Sequence, residues 1–345
     1  MAGAGACQRR VLQRLKEDHG VGWGVKKLRQ VTAAVAEEMS GHRQEAQVEQ
    51  LLGWLGAASA GTGRHKPVLS AGRDGITLPL RRQGGRVYEV ASTGPISVLD
   101  RRGRRLGTVY LAHMPEPLQP TMSKELTGVL TEVLRRWQGP LPRLSYVTDA
   151  GDNETSYHED VLRRMKHPRT GEKLDWIRVV DYYHASQRVW TMGEALFGKG
   201  RAAWCWSRKM LSWLLKPGGV NRVLHSAAAH LSRQALPASR LDEYIKAHGY
   251  LRERMGHMRY SECRRVGVPI GSGVTEAGCK TVYTQRLKLS GMHWKAPGAQ
   301  TILDLRVIEL SGVWDRVFRA ALAARDEARI WGSTTFHQDR TPTPA

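Results

Sequence analysis

The sequence predicts an α/β protein built on a mixed five-stranded sheet, and three observations lead to this fold class. Three short β-prone segments follow one another across tight turns, which is typical of an antiparallel meander. Two further apolar segments each follow a helical one, and such crossovers place strands parallel in the same sheet. After the fifth strand, about eighty residues are helical, which predicts an all-α insertion.

The region before the sheet is predicted to be a helical N-terminal segment. Apolar residues recur at spacings of three and four from Gln8 to about Leu55, in three groups that we interpret as three helices. Small and flexible residues then dominate positions 57–67, which is typical of a linker. Residues 1–66 are therefore separated from the core that follows.

The predicted elements of the sheet alternate with two helices. Glycine-rich turns, such as Gln83–Gly85, separate the first three strands. In this order, the first and fourth strands become neighbours in the sheet. The predicted strands are 68–74, 86–90 continued by 96–99, 106–111, 144–148 and 176–180, and the predicted helices are 123–137 and 157–165.

The composition indicates a polyanionic partner. The chain has 345 residues with 53 Lys and Arg against 32 Asp and Glu, a formal charge of +21 that is unusual for a metabolic enzyme. Nearly half of this charge, +10, lies in residues 185–265. Hydrophobic residues at 41% are typical of a globular chain and argue against a disordered basic tail.

Cysteine usage and hydropathy exclude several other classes of protein. The four cysteines include no C-x-x-C pair, so neither a disulfide framework nor a zinc ribbon is predicted. The N-terminus lacks the apolar stretch of a secretory signal, and no window is apolar enough for a membrane span. A cytoplasmic, nucleoid-associated protein without a membrane partner is expected, and any metal ligands should be carboxylates.

Three acidic residues stand where such ligands could converge. Asp74 lies on the first strand and Asp149 ends the fourth, so the sheet brings them together. Glu276 lies in the first turn of the helix after the basic segment, above the sheet. Carboxylates on rigid strand ends suit hard divalent cations. Each residue taken alone is also compatible with a turn former or a helix cap.

Four segments in this order resemble the ISKra-type bacterial insertion-sequence transposases. They are GRDGITLPL around Asp74, YVTDAGDN around Asp149, VVDYYHA at 179–185, and GSGVTEAGCK at 271–280 followed by QRLKLSGMHW. The resemblance covers roughly residues 22–331, and its most specific part is 271–294. These proteins belong to the DDE transposases, so the resemblance implies a ribonuclease-H-like fold.

The resemblance also implies a function and a division of the chain. Asp74, Asp149 and Glu276 become the catalytic acids that bind Mg²⁺, with Mn²⁺ as a substitute. The implied activity is phosphodiester hydrolysis at element ends and strand transfer into target, both on double-stranded DNA, by a homo-oligomer on paired ends. The core becomes 67–184 with 266–332, the insertion 185–265 and the tail 333–345. Such transposases have a longer N-terminal region, so end-binding residues are expected to be truncated here.

Asp181 and His184 form an auxiliary pair just after the fifth strand. Similar transposases have an Asp followed by a nearby His at this place, which implies a role beside the active site. Asp181 would replace Asp149 as the second acid if Asp149 pointed away from Asp74. The alternative is that Asp181 caps the next helix and that His184 is a partly buried histidine.

Basic and aromatic residues after Glu276 form a candidate DNA-binding surface, and a solvated charged helix face is the alternative. Lys280 could contact a phosphate or pair with Glu276. Trp204, Trp206 and Trp213 of the insertion could stack on unpaired bases, but a helical core is favoured. Cys279 is interpreted as a small core residue. The candidate DNA-binding residues are Lys280, Arg286, Lys288, His293, Trp294 and Lys295.

Two other functions remain open. A ribonuclease-H-like nuclease or resolvase would use the same acids without strand transfer. An inactive, DNA-binding remnant of a transposase would keep the charge without the chemistry.

Overall fold

A mixed six-stranded sheet with helices on both faces forms the centre of the molecule. The computed structural model describes residues 8–83, 85–289 and 292–335. Its strands are β1 (Val68–Gly72), β2 (Asp74–Arg82), β3 (Gly85–Leu99), β4 (Arg105–His113), β5 (Arg143–Thr148) and β6 (Trp176–Val180). Its helices are α1 (Gln8–His19), α2 (Val25–Ala60), α3 (Pro120–Arg136), α4 (Asp152–Asp160), α5 (Tyr182–Phe197), α6 (Arg201–Leu214), α7 (Gly219–Leu231), α8 (Ala238–Arg254), α9 (Tyr260–Val266), α10 (Gly273–Gly278), α11 (Gln285–Leu287), α12 (Ala296–Leu310) and α13 (Trp314–Thr335).

The long strand β3 organises the antiparallel half of the sheet. One of its edges pairs with β2 through residues 85–93 and with β1 through residues 96–99. Its other edge pairs with β4. Beyond β1 the sheet is parallel, with β5 next to β1 and β6 next to β5. The predicted adjacency of the first and fourth strands, now β1 and β5, is therefore confirmed.

The prediction of five strands was wrong by one. The predicted first strand ends at Gly72 in the structure, and Asp74 begins a separate strand that the sequence did not reveal. Gly75 and Pro79 gave β2 the composition of a turn. Pro79 is tolerated because β2 pairs with β3 on one edge and makes only an isolated bridge, from Leu80 to Trp294, outside that ladder.

Helix boundaries also differ from those predicted. The second and third predicted helices are one helix, α2, of 36 residues, which extends into the predicted linker. The helical C-terminal segment is divided into α12 and α13 at Gly312, whose φ of 69° is readily adopted only by glycine. A π-helical turn, Cys279–Thr284, interrupts the helix that begins at α10.

The two faces of the sheet pack against different helices because side chains alternate along a strand. On β5, Leu144 and Tyr146 belong to a core shared with α2 and α3. Val147 belongs to the opposite core, which contains the buried side chains of α5 to α8. Residues 185–265 form the predicted helices, and their apolar side chains cover one face of the sheet.

This inserted lobe begins and ends at one narrow neck. The amide of Tyr182 donates to the carbonyl of Ile270 at 2.9 Å. One residue earlier, the Asp181 carboxylate accepts a hydrogen bond from the amide of Ser272. The chain therefore leaves the sheet and returns to it at the same point.

Three further predictions concern membrane spans, the C-terminal tail and the turn that contains Gly84. In the described part of the chain, no helix combines the length and apolar character needed to cross a bilayer. Residues 333–335 of the predicted tail are the last residues of α13, and 336–345 lie outside the described residues. Gly84, in a predicted turn, also lies outside them.

Candidate active site

Asp74 and Asp149 follow the carboxyl ends of the neighbouring strands β1 and β5. Every recorded pair of β1 and β5 has the same register, which ends with Gly72 opposite Val147. Asp74 and Asp149 each come two residues after this last pair along the chain. The charge of Asp149 contributes to raising the pKa of Asp74, after the larger effect of burial. The two carboxylates are therefore close enough to repel each other.

The thiol of Cys279 contacts Asp74 directly. Its Sγ donates to Oδ2 of Asp74 at 3.3 Å, while the amide of Gly75 donates to Oδ1 at 2.7 Å. Burial raises the pKa of the thiol, and the charges of Asp74, Glu276 and Asp149 raise it further. Cys279 is thus a protonated donor among the three predicted acids. The interpretation of Cys279 as a small buried residue was correct, but it missed this contact.

The loop that carries Asp149 adopts an unusual backbone conformation. Ala150 has φ of 63°, in the left-handed region that side chains disfavour. Oδ1 of Asp149 accepts from the amide of Gly151 at 3.1 Å, and its carbonyl accepts from the hydroxyl of Tyr250 at 2.8 Å. These contacts hold the loop in a conformation that a non-glycine residue rarely adopts.

Glu276 approaches the same region from a helix that lies against the sheet. A Cβ on Gly72 would collide with the hydroxyl of Thr275, and one on Gly278 would crowd the ring of Tyr110. These two glycines therefore permit the close contact of α10 with β1 and β4. Oε1 of Glu276 lies 3.7 Å from Nε2 of His184, near the start of α5.

Asp181 is a helix cap. Its side chain is 1% exposed. One carboxylate oxygen accepts from the amides of Tyr183 and His184, and the other accepts from Ser272. Both oxygens accept from backbone donors, so Asp181 has the capping role given as the alternative, and Asp149 remains the aspartate beside Asp74. His184 keeps its predicted position beside the site through its contact with Glu276.

Glu154 is a fourth acid that the sequence analysis missed. It is the third residue of α4 and is 7% exposed. Its carboxylate packs over Gly151, where Oδ1 of Asp149 also lies within 4 Å of the position of a Cβ. Burial, and then the charges of Asp149 and Asp74, raise the pKa of Glu154 to about 7. The only signal in the sequence was an acid five residues after Asp149, which resembles an ordinary acid at a helix start.

The carboxylates fit a divalent cation in chemistry but do not form a complete ligand set. Within the described ranges, no group of three or more His, Cys, Asp and Glu side chains is arranged to hold a metal ion. The carboxylates of Asp74 and Asp149 nevertheless repel each other at one end of the sheet. A hard cation bound between them would offset this repulsion. Glu276 is directed towards His184 instead.

The predicted DNA-binding residues divide into two groups. Lys280, Lys288, His293 and Lys295 are exposed, and Arg286 is half-buried. Trp294 packs against the buried residues of β2, β4 and α12, and its carbonyl accepts from the amide of Arg81 at 2.9 Å. The position of Trp294 therefore supports a packing role, and its contact with DNA stays a prediction.

The tryptophans of the insertion only partly form its core. Trp206 is buried and Trp213 packs at the edge of the core, as expected. Trp204 is 54% exposed, and the guanidinium of Arg208 lies 5.4 Å from its ring. The expected packing role therefore does not describe Trp204.

A scan of the sequence against models of protein families found no match, and a search among curated proteins found no significant match. The class of protein is therefore defined by the fold and the acids. It is an α/β protein with a mixed six-stranded sheet flanked by helices, and acidic side chains lie together at one end of this sheet.

Proposed function

We propose that this protein is a DNA transposase with a ribonuclease-H-like core. The observation that carries the proposal is the meeting of Asp74 and Asp149 across β1 and β5, with the helix of Glu276 above them. The strand order supports the fold, because an antiparallel meander leads into two parallel strands. The four motif segments that resemble the ISKra-type transposases include all three acids.

The proposed activity consists of two substitutions at phosphorus. In the first, a water oxygen attacks a phosphodiester at an element end, and the bond to the 3′ oxygen breaks to leave a 3′-hydroxyl. In the second, that hydroxyl attacks a phosphodiester of target DNA and displaces its 3′ oxygen. Two bound Mg²⁺ or Mn²⁺ ions would supply activation of the attacking oxygen and stabilisation of the leaving one.

The side chains of the site have separate roles in this proposal. Asp74 and Asp149 would hold the cations, and the hydrogen bonds from Cys279 and Gly75 orient the two oxygens of Asp74. Glu276 would complete the site by turning from His184 towards the two aspartates. Since the Glu276 carboxylate is nearly half exposed, this rotation requires no repacking of the core.

Double-stranded DNA is the proposed partner. The charge of +21 favours a polyanion, and exposed Lys280, Lys288 and Lys295 follow directly after the Glu276 helix. By the same resemblance, a homo-oligomer on paired element ends is the proposed working form.

The catalytic assignment is tested by Asp74→Asn, Asp149→Asn and Glu276→Gln. Each variant should lose Mg²⁺-dependent nicking of DNA that carries the element ends, while its affinity for that DNA stays within about twofold of wild type. Glu243→Gln, on the exposed side of α8, is the matched control and should nick normally. Nicking at the wild-type rate by any of the three variants would remove that residue from the site.

The alternatives are separated by two further measurements. A nuclease or resolvase would cleave element ends but would not join precleaved ends to target DNA. The inactive remnant is favoured by the absence of a three-ligand group among the described residues. It predicts DNA binding without nicking at any Mg²⁺ or Mn²⁺ concentration, so wild-type nicking excludes it.

A further inference from the structure

A basic groove lies beside the acids, on the surface of the inserted lobe. It has a volume of about 660 Å³ and is formed mainly by α8, with α5 on one side. Arg188, Lys246, Arg252 and Arg254 contribute four positive charges to its lining, of which Lys246 is paired with Asp242 at 2.7 Å and Arg254 with Glu253. The groove therefore has the charge of a binding site for an anion.

Tyr250 holds two of these cations in fixed positions. The guanidinium of Arg188 lies 5.0 Å from the centre of its ring, and that of Arg254 lies 4.5 Å from it. Glu253 pairs with Arg254 at 3.1 Å. Among the described residues, no carboxylate forms an ion pair with Arg188. The two guanidinium groups thus pack on one aromatic ring, and only Arg254 has a carboxylate partner, which leaves the charge of Arg188 uncompensated.

The groove is connected to the candidate active site on both sides. On the α8 side, the Tyr250 hydroxyl donates to the carbonyl of Asp149 at 2.8 Å. On the α5 side, Arg188 follows His184 by one helical turn and so lies on the same face of the helix. His184 in turn contacts Glu276. A strand lying in the groove would therefore run directly to the acids.

We propose that this groove binds the phosphodiester backbone of the DNA strand that is cut, next to the scissile phosphate. The inference rests on the proposed function, and it adds a substrate-binding site formed by Arg188, Tyr250 and Arg254. Guanidinium groups donate paired hydrogen bonds that match phosphate oxygens. Since the Tyr250 hydroxyl is already used by the Asp149 loop, it is not available to read a base.

The test is the salt dependence of DNA binding by Arg188→Ala and Arg254→Ala. Affinity for a fluorescein-labelled DNA duplex is measured by anisotropy between 50 and 200 mM NaCl, in EDTA. Each lost phosphate contact lowers the slope of log affinity against log salt by about 0.9. The fall in affinity over this fourfold range should therefore be about threefold smaller in each variant than in wild type.

Arg135→Ala is the matched control. Arg135 lies on α3, across the sheet, and is paired with Glu132. This variant loses one positive charge, as the other two do, but at a position outside the groove. Its slope should therefore equal that of wild type. Equal slopes for all three variants and wild type would overturn the proposal, as would a loss in Arg135→Ala as large as the others. Tighter binding of an RNA duplex of the same sequence would overturn the assignment to DNA.

The outcome can be interpreted independently of the catalytic assignment. The binding measurement contains no divalent metal, so a failure to nick DNA leaves the slopes unaffected. Thermal unfolding of each variant is measured first. If Arg254→Ala does not fold, the exposed Arg188 gives the result alone, because its guanidinium can be removed without opening the core.

Discussion

Replacing Glu154 by Gln should stabilise the metal-free protein at alkaline pH. The carboxylate is buried beside Asp149, with Asp74 nearby, and these surroundings raise its pKa to about 7. The charge of Arg73 opposes this rise without cancelling it. Glutamine has nearly the same shape but no charge, so the substitution removes the repulsion and leaves the packing of the carboxylate over Gly151 almost unchanged.

The magnitude follows from the difference between folded and unfolded pKa values. Below pH 4.5 the carboxyl group is protonated in both states, and its contribution to stability is complete. As pH rises to 7, the unfolded chain releases the proton while the folded protein retains it, so the folded state loses stability. A shift from 4.5 to about 7 corresponds to about 3 kcal/mol at 1.36 kcal/mol per pH unit.

Urea unfolding in EDTA at several pH values measures this effect. The free energy of unfolding of Glu154→Gln, relative to wild type, should increase by about 3 kcal/mol between pH 4.5 and pH 8. Glu243→Gln, at an exposed site, should show a much smaller change. A difference between Glu154→Gln and wild type that does not vary with pH would refute the assignment of a raised pKa to this carboxyl group.

Three other predictions concern separate parts of the structure. Cys279→Ala removes a hydrogen bond that lowers the pKa of Asp74, so that pKa, followed by carbon NMR, should rise; Cys279→Ser, which keeps a donor, should restore it. Burial and the charge of Arg178 lower the pKa of His257 to about 4, so the contribution of His257 to the stability of wild type should fall by on the order of 1–2 kcal/mol between pH 6.5 and pH 4, allowing for partial exposure. His257→Asn should lose less over that interval in urea unfolding, and an equal loss would contradict this cause. Leu126→Ala, at a fully buried position on α3, should reduce the free energy of unfolding by about 2–5 kcal/mol. A reduction below about 1 kcal/mol would contradict the packing of Leu126 in the core.

The parts of the fold that the sequence predicted correctly have strong local signals. The apolar runs that became β5 and β6 are short and bounded by turn residues, and both form parallel strands as expected. The spacing of apolar residues in the insertion predicted helices, and α5 to α9 are helices. The approach of Asp74 to Asp149 followed from strand order alone, because β1 and β5 had to be neighbours.

The parts that it missed depend on contacts between distant segments. Pro79 and Gly75 are typical of turns, so the sequence did not predict β2, whose stability comes from its ladder with β3. Glu154 resembled an ordinary acid at a helix start until the sheet placed Asp74 and Asp149 beside it. The interaction of Tyr250 with Asp149 joins residues 101 positions apart, and no local pattern predicts such a contact.

The narrow neck at Asp181 and Ser272 would allow a helical lobe of another size to take the place of the inserted lobe. Hydrogen bonds join the two ends of the lobe at this neck, so the points where the lobe connects to the rest of the fold do not depend on its length. Doubling the length of a flexible loop costs only about 0.6 kcal/mol of closure entropy. The lobe can therefore differ in size and in its exposed surface, provided that it keeps the hydrogen bond from Tyr250 that holds the Asp149 loop. Any replacement must also cover Val147 and Val179, which are paired and lie on the same face of the sheet.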